Sequence, residues 1–332
     1  MVKVRNTTID FLRGLAVILM ILIHATAYFL DQPTVRLMWD CAHFAVPLFV
    51  FCSVYIAFQK NNSKLPSVSR VFMRLKRLVI PYYIFTTILL LVFEFVLGTS
   101  ITIQSATKWY LFGTGRDIGW LVVLFVYFIF LVPIIIKASK HDSLWKFLHR
   151  TIWITAFLFI YAPHLESFRL IMWLPWSAFL IFAFWFVKNE KKWWFPIYAI
   201  TLSLIAFFVS RSILLEIGHT LVFTENKYPP NLYYLSYGIL STTLIYYFHR
   251  FLIEHNLFAH WLQKIFDFFS RHSYSLFFIH FLFVYILKEW MDYREIGAWG
   301  FFGAILFLST LTQIGINQLA HFLSTLKSGP TI

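Results

Sequence analysis

Charged side chains are scarce in this chain. They make up 13% of its 332 residues, against 60% hydrophobic and 21% aromatic. Water-soluble domains carry about 25% charged and about 45–50% apolar residues, so the composition excludes an ordinary soluble fold and points to a chain whose solvent is lipid. Cysteine is nearly absent. Cys41 and Cys52 fall in one apolar run, which excludes a disulfide framework and a metal-spaced cysteine cluster. Acidic residues are also few, 15 against 28 Lys and Arg, giving a formal charge of +13. The excess is not a nucleic-acid signature, because the basic residues stand in short clusters between apolar runs and form no groove-sized patch or known motif. A phosphate-binding glycine loop, a nucleophile elbow and a metal motif are all missing, so no metal and no resident cofactor is expected. The first apolar run is long and lacks a small-x-small cleavage site, which reads as a retained span rather than a signal peptide.

What is present is a succession of apolar runs, each of the roughly 17–25 residues that cross a bilayer. Ten spans are expected, centred near Val17, Leu48, Leu89, Val126, Phe157, Leu180, Leu202, Leu240, Phe281 and Leu308. The fifth to seventh are the weakest, being short or interrupted by Pro163, Pro175 and Pro196. The predicted fold class is all-α: a polytopic membrane helical bundle forming a single domain over residues 1–332, with both termini cytoplasmic. The positive-inside rule supports this orientation. It places 20 of the 28 Lys and Arg inside, including Lys3, Arg5, Lys60, Lys64, Arg70, Lys76, Lys191, Lys192 and Lys327. Only Arg36, Lys108, Arg116, Arg169, Arg211, Lys227, Lys288 and Arg294 fall outside. The longest outer connections, around residues 99–117 and 211–231, are too short for a folded domain, and LSTLKSGPTI reads as a tail.

Polar residues within the spans carry the functional signal. Arg13 and His24 are eleven residues apart in FLRGLAVILMILIHAT. At about 100° per residue that step ends about 20° past three full turns, and it rises about 16 Å, so the two share one helix face. Asp10 falls near the same stripe. Ionisable groups at such depth face a bundle interior or a wet cavity rather than lipid. The stripe is therefore expected to line an internal site. The bland alternatives are a snorkelling anchor for Arg13 and a satisfied interhelical hydrogen bond for His24. Arg74 and Arg77 open the third span within RVFMRLKRLVIPYYIF. Three residues apart, they share a face and suit bidentate contact with phosphate. With Arg13 at the same membrane surface, three guanidinium groups are placed to converge on one anionic ligand; the alternative is a topology signal alone. The ninth span, RHSYSLFFIHFLFVY, carries Ser275 and, deeper, a lone His280. Asp40, His43 and Glu94 sit near outer span ends, where a solvated mouth is the bland alternative to a site role. Trp120 and Tyr127, in GWLVVLFVYFIFLVP, are belt aromatics or cavity wall.

On these residues the sequence resembles the acyltransferase 3 family of integral membrane acyltransferases. Arg13 and His24 match its arginine, ten residues, histidine pattern, and Arg74 and Arg77 its arginine-x-x-arginine, followed by IPYY. FAVPLFVFCSVYIAF, GWLVVLFVYFIFLVP and HSYSLFFIHF are similar to further signatures, so the likeness runs over nearly the whole chain. Two departures stand out: Ser53 is followed by Val54 where the family usually has glycine, which bears on helix packing, and an extracytoplasmic domain like that fused to some members is not expected from these 332 residues. The resemblance implies transfer of an acyl group, most often acetyl, from cytoplasmic acyl-CoA to a hydroxyl of a cell-surface carbohydrate or its precursor, in the cytoplasmic membrane. It implies that Arg13, Arg74 and Arg77 bind the donor and that His24 is the catalytic base. Asp10, Trp120, Tyr127, Ser275 and His280 are possible supporting residues. The partners so implied are acyl-CoA, the carbohydrate acceptor and the bilayer, with no nucleic acid. The competing function is an exporter of a polysaccharide or lipid-linked sugar without acyl transfer.

Overall fold

The computed structural model describes residues 6–60, 67–113, 118–162 and 168–328, apart from the side chains of residues 327 and 328. Lys3, Arg5, Lys64, Arg116, Pro163, residues 329–332 and the side chain of Lys327 thus lie outside the described residues. The described chain is helical, with no strand. Because a lipid-embedded backbone must satisfy its own N–H and C=O groups, helices are the form that apolar runs of this length adopt.

In chain order the helices are α1 (Thr7–Thr26), α2 (Pro33–Cys41), α3 (Ala45–Lys60), α4 (Val68–Phe95), α5 (Ile103–Tyr110), α6 (Gly119–Ala138) and α7 (Asp142–Leu158). They continue as α8 (Phe168–Ile171), α9 (Trp173–Asn189), α10 (Trp194–Glu216), α11 (Leu232–Glu254), α12 (His260–Arg271), α13 (Ser273–Trp290) and α14 (Tyr293–Ser328). Among the described residues seven helical stretches are long and apolar enough to cross a membrane: Thr7–Phe29, Pro33–Lys60, Val68–Phe95, Gly119–Ala138, Phe168–Asn189, Trp194–Glu216 and Tyr293–Leu326. The three other expected centres, Phe157, Leu240 and Phe281, fall in α7, α11 and α13, which are shorter or more polar than those seven. The chain is a multi-pass, all-helical membrane protein.

Pro175 and Pro196 do not interrupt spans. Each occupies the first turn of its helix, α9 or α10, where a missing N–H costs no intrahelical bond. Two of the expected loops also hold structure: α5 folds within 99–117, capped by Thr102 Oγ1 accepting from Ser105 N at 3.1 Å, and α10 extends to Glu216. The C-terminal segment expected as a tail continues α14 as far as Ser328, after a break at Gly297, whose φ of +70° suits glycine.

α1 is the hub, packed against α3, α11, α12, α13 and α14, and capped by Asn6, whose side chain accepts from Ile9 N at 3.2 Å. Its small residues permit this crowding. A Cβ on Gly14 would stand 2.4 Å from the carbonyl oxygen of Phe266, so α12 crosses α1 in backbone contact. α4, α10 and α14 lie at the periphery and present Ile84, Leu91, Ile205, Phe208, Leu311 and Leu319 outward, as a lipid-facing surface requires. Polar pairs fasten the interior: Tyr55 and Tyr246 each donate to Glu190 Oε2 at 2.8 Å.

Candidate functional site

Two groups of polar side chains stand at opposite ends of α1. At the N-terminal end a pocket of about 400 Å³ opens between α1, α3, α4, α6 and α13. Its walls include Arg13, Arg74 and Arg77, together with Lys60, Ser273 and Tyr274. Arg13 from α1 and Arg74 and Arg77 from α4, two helices separated in sequence, thus line one pocket, and Lys60 adds a fourth basic residue to its wall. The remaining wall is apolar. Along α3 it runs from Lys60 up to Phe49, eleven residues and hence about 16 Å of helical rise, so the pocket is a slot directed into the bundle. Ser53 and Val54, at the departure from the family signature, both line it.

Arg13 is held in place. Its Nη2 lies 3.4 Å from Asp10 Oδ1, and its Nε donates to Ser270 Oγ at 3.0 Å. Ser270 in turn donates to Asp10 Oδ1 at 2.7 Å. Asp10 is 4% exposed and Ser270 1%, so this triangle is internal and α12 contributes one corner. A buried carboxylate beside the guanidinium compensates much of its charge and fixes its fork. Arg74 is half-buried and Arg77 exposed, which leaves both open to a ligand.

At the other end of α1, His24 is enclosed by α13, the segment after α2 and the connection between α10 and α11. Its ring centroid is 4.4 Å from Phe281 and 5.4 Å from His280. His280, His43 and Lys227 are its electrostatic neighbours. Among the described residues His24 makes no side-chain hydrogen bond, and its side chain is partly buried. His43 is 3% exposed and Lys227 5%, so neither belongs to a solvated mouth. The ammonium of Lys227 lies 5.2 Å from the Trp120 ring and 4.8 Å from the Tyr228 ring, within cation–π range. Trp120 is 3% exposed and packs in the interior. Asp40 accepts from Phe223 N at 2.8 Å and ties down the same outer connection. Glu94 accepts from Ile101 N at 2.7 Å and secures the chain leading into α5.

Two of the expected supporting residues stand apart. Tyr127 packs on Trp173, with ring centroids 6.4 Å apart, and is absent from the walls of the basic pocket. Ser275 donates to Gln313 Oε1, the start of a chain in which Gln313 donates to Asn317 Oδ1 at 2.9 Å. Asn317 Nδ2 donates to His272 Nε2 at 3.1 Å. That chain joins α13 to α14. His272, at the junction of α12 and α13, is lowered from its usual 6.5 by burial and then by neighbouring Arg271, consistent with a neutral ring accepting from Asn317. Sequence reasoning missed Ser270 and the site role of Lys60 and Lys227. Lys60 and Lys227 were visible only as topology cations, and nothing distinguished Ser270 from any other serine. Among the described residues no three of His, Cys, Asp and Glu are grouped to share a metal ion.

A bundle of apolar helices with an arginine-lined slot at one end of its central helix and an imidazole pair at the other is an integral membrane protein with a polar group at each end of α1. The chain belongs to the acyltransferase 3 family: the family's sequence model, described as an acyltransferase domain, matches residues 6–316. It is accordingly a membrane acyltransferase. No curated protein and no solved structure matches it significantly.

Proposed function

We propose that this acyltransferase moves an acyl group, acetyl in the first instance, from cytoplasmic acyl-CoA to a hydroxyl of a cell-surface carbohydrate or its precursor. In this reading it sits in the cytoplasmic membrane with ten spans, α7, α11 and α13 joining the seven, and with both termini on the cytoplasmic side. The observation that carries the reading is the convergence of Arg13, Arg74 and Arg77 on one slot of about 400 Å³. Coenzyme A is anionic at its phosphates and neutral along its thioester arm. The arginines match the first property, and the apolar wall from Phe49 to Ala57 matches the second.

The chemistry assigned to His24 follows from its state. Its ring is uncommitted to hydrogen bonds among the described residues, and a neutral imidazole is a suitable general base. The acceptor oxygen attacks the thioester carbonyl carbon while His24 removes the hydroxyl proton. The C–S bond then breaks, the ester forms, and the proton passes to the departing thiolate to give free coenzyme A. Asp10 and Ser270 act on Arg13 and not on the reacting atoms.

The test uses inverted membrane vesicles supplied with radiolabelled acetyl-CoA, with label counted in vesicle carbohydrate, and mass spectrometry of surface carbohydrate from the same cells. His24→Ala is expected to abolish incorporation while purified protein still binds acetyl-CoA. Retained incorporation removes His24 from the chemistry. A surface carbohydrate whose acyl content does not change when the gene is deleted favours the exporter.

A further inference from the structure

His280 is a buried titratable group beside His24, and the mechanism above does not use it. It is 0% exposed, and its Nδ1 lies 3.0 Å from the carbonyl oxygen of Leu276. A carbonyl only accepts, so Nδ1 carries the proton of that bond, and the neutral ring presents Nε2 as a lone pair. Among the described residues this Nε2 is buried without a partner. Buried acceptors are normally satisfied, and an orphan beside a candidate catalytic ring is placed to take a role in function. The neighbouring ring with an N–H to offer is His24. The two centroids are 5.4 Å apart with an interplanar angle of 33°, and both rings lean on Phe281 at 4.4 Å. At that separation a small rotation of either ring brings one N–H···N hydrogen bond within range.

We propose that His280 is a positioning residue for His24: its Nε2 accepts the N–H of the His24 ring, directing the other His24 nitrogen, with its lone pair, at the acceptor hydroxyl. The inference rests on the reading of His24 as the base. The Leu276 carbonyl holds the tautomer of His280, and His280 holds the tautomer of His24. When His24 takes the hydroxyl proton, both its nitrogens become donors and the bond to His280 strengthens, so the imidazolium is favoured at the moment it forms. No atom is exchanged between the two rings. The relation is that of an orienting acceptor behind a catalytic imidazole, with a neutral histidine in place of a carboxylate; among the described residues the electrostatic neighbours of His24 are His280, Lys227 and His43.

The experiment compares His280→Leu, His280→Phe and His280→Gln in vesicles with radiolabelled acetyl-CoA. It reads kcat, KM for acetyl-CoA and the pH–rate profile, with acetyl-CoA affinity of each purified variant as the folding control. Among the described residues the other titratable groups facing His24 are His43, from the segment after α2, and Lys227, from the connection before α11; both stay in place. Leu and Phe, which offer no acceptor, are expected to lower kcat about 10–100-fold at unchanged KM, as loss of one hydrogen bond to the developing imidazolium implies, and to displace the acidic limb of the profile. Gln, which keeps an acceptor oxygen, is expected to recover most of kcat and the native limb. If Leu does not reach the membrane, Phe carries the comparison, because it keeps a ring between Phe277 and Phe281. A native kcat and profile in Leu or Phe overturns the proposal, as does a Gln variant as impaired as they are. Activity in His24→Ala would instead overturn the parent reading, so the two failures are distinct.

Discussion

Replacing Gly14 by Ala tests whether the contact between α1 and α12 supports the donor slot. The added Cβ would lie 2.4 Å from the Phe266 carbonyl oxygen, where real Cβ contacts essentially never fall below 3.0 Å. The neighbour is helix backbone and has no rotamer to yield, so the helices must part by about 0.6 Å, the difference between those two distances. Overpacking of this kind costs about 1–3 kcal/mol. The displacement also reaches the site, since Ser270 lies one turn beyond Phe266 on the same helix. A shift of that size stretches the Arg13 Nε to Ser270 Oγ bond from 3.0 Å to about 3.6 Å, past the range of a hydrogen bond. A hydrogen bond to a charged group contributes about 1.5–3 kcal/mol, or about 10–100-fold in affinity. Gly14→Ala should therefore lower the thermal unfolding midpoint of purified protein, followed by tryptophan fluorescence, by several degrees. Acetyl-CoA binding by equilibrium dialysis should weaken about tenfold or more. A variant with the native midpoint and the native affinity refutes the reasoning, because the backbone contact would then be neither tight nor coupled to Arg13.

Arg77→Gln should raise KM for acetyl-CoA about 10–100-fold by loss of a charged hydrogen bond, with kcat little changed; an unaltered KM reduces Arg77 to a topology anchor. The effect should shrink as salt is added, because Arg77 is exposed and its field is screened. His272 gives a pH dependence. Its folded value lies below the 6.5 it takes when unfolded, so its contribution to stability is complete above pH 6.5 and is lost as pH falls below that value toward the folded one. Unfolding midpoints measured between pH 5 and 8 should rise with pH, and His272→Gln should have a flatter curve than the native protein; parallel curves contradict this assignment.

The resemblance carried by Arg13, His24, Arg74 and Arg77 was legible because it depends on spacing along single helices. Eleven residues return a side chain to the same face, and a step of three keeps it on that face one turn on. Ser270 was illegible for the opposite reason. It is one serine among many until α12 folds against Gly14 and brings it, across 260 positions, to Asp10 Oδ1. His280 was visible as a lone intramembrane histidine, but its companion was not, because nothing local fixes which face of α13 meets α1. Pro175 and Pro196 read as interruptions since a pattern gives the residue and not its place in the turn, and in the first turn proline costs no bond.

By itself the sequence determined that the chain is helical and lipid-embedded, since apolar length and scarce charge leave the backbone no other way to satisfy its hydrogen bonds. It also determined which side chains share a helix face. Only the tertiary structure decided that Arg13, Arg74, Arg77 and Lys60 meet in one slot, that Asp10 and Ser270 hold Arg13, and that His24 and His280 stand ring to ring. Helical periodicity acts over a few residues, whereas those meetings depend on how separate helices cross. The crossings are set by packing contacts such as Gly14 against Phe266, which no single segment encodes.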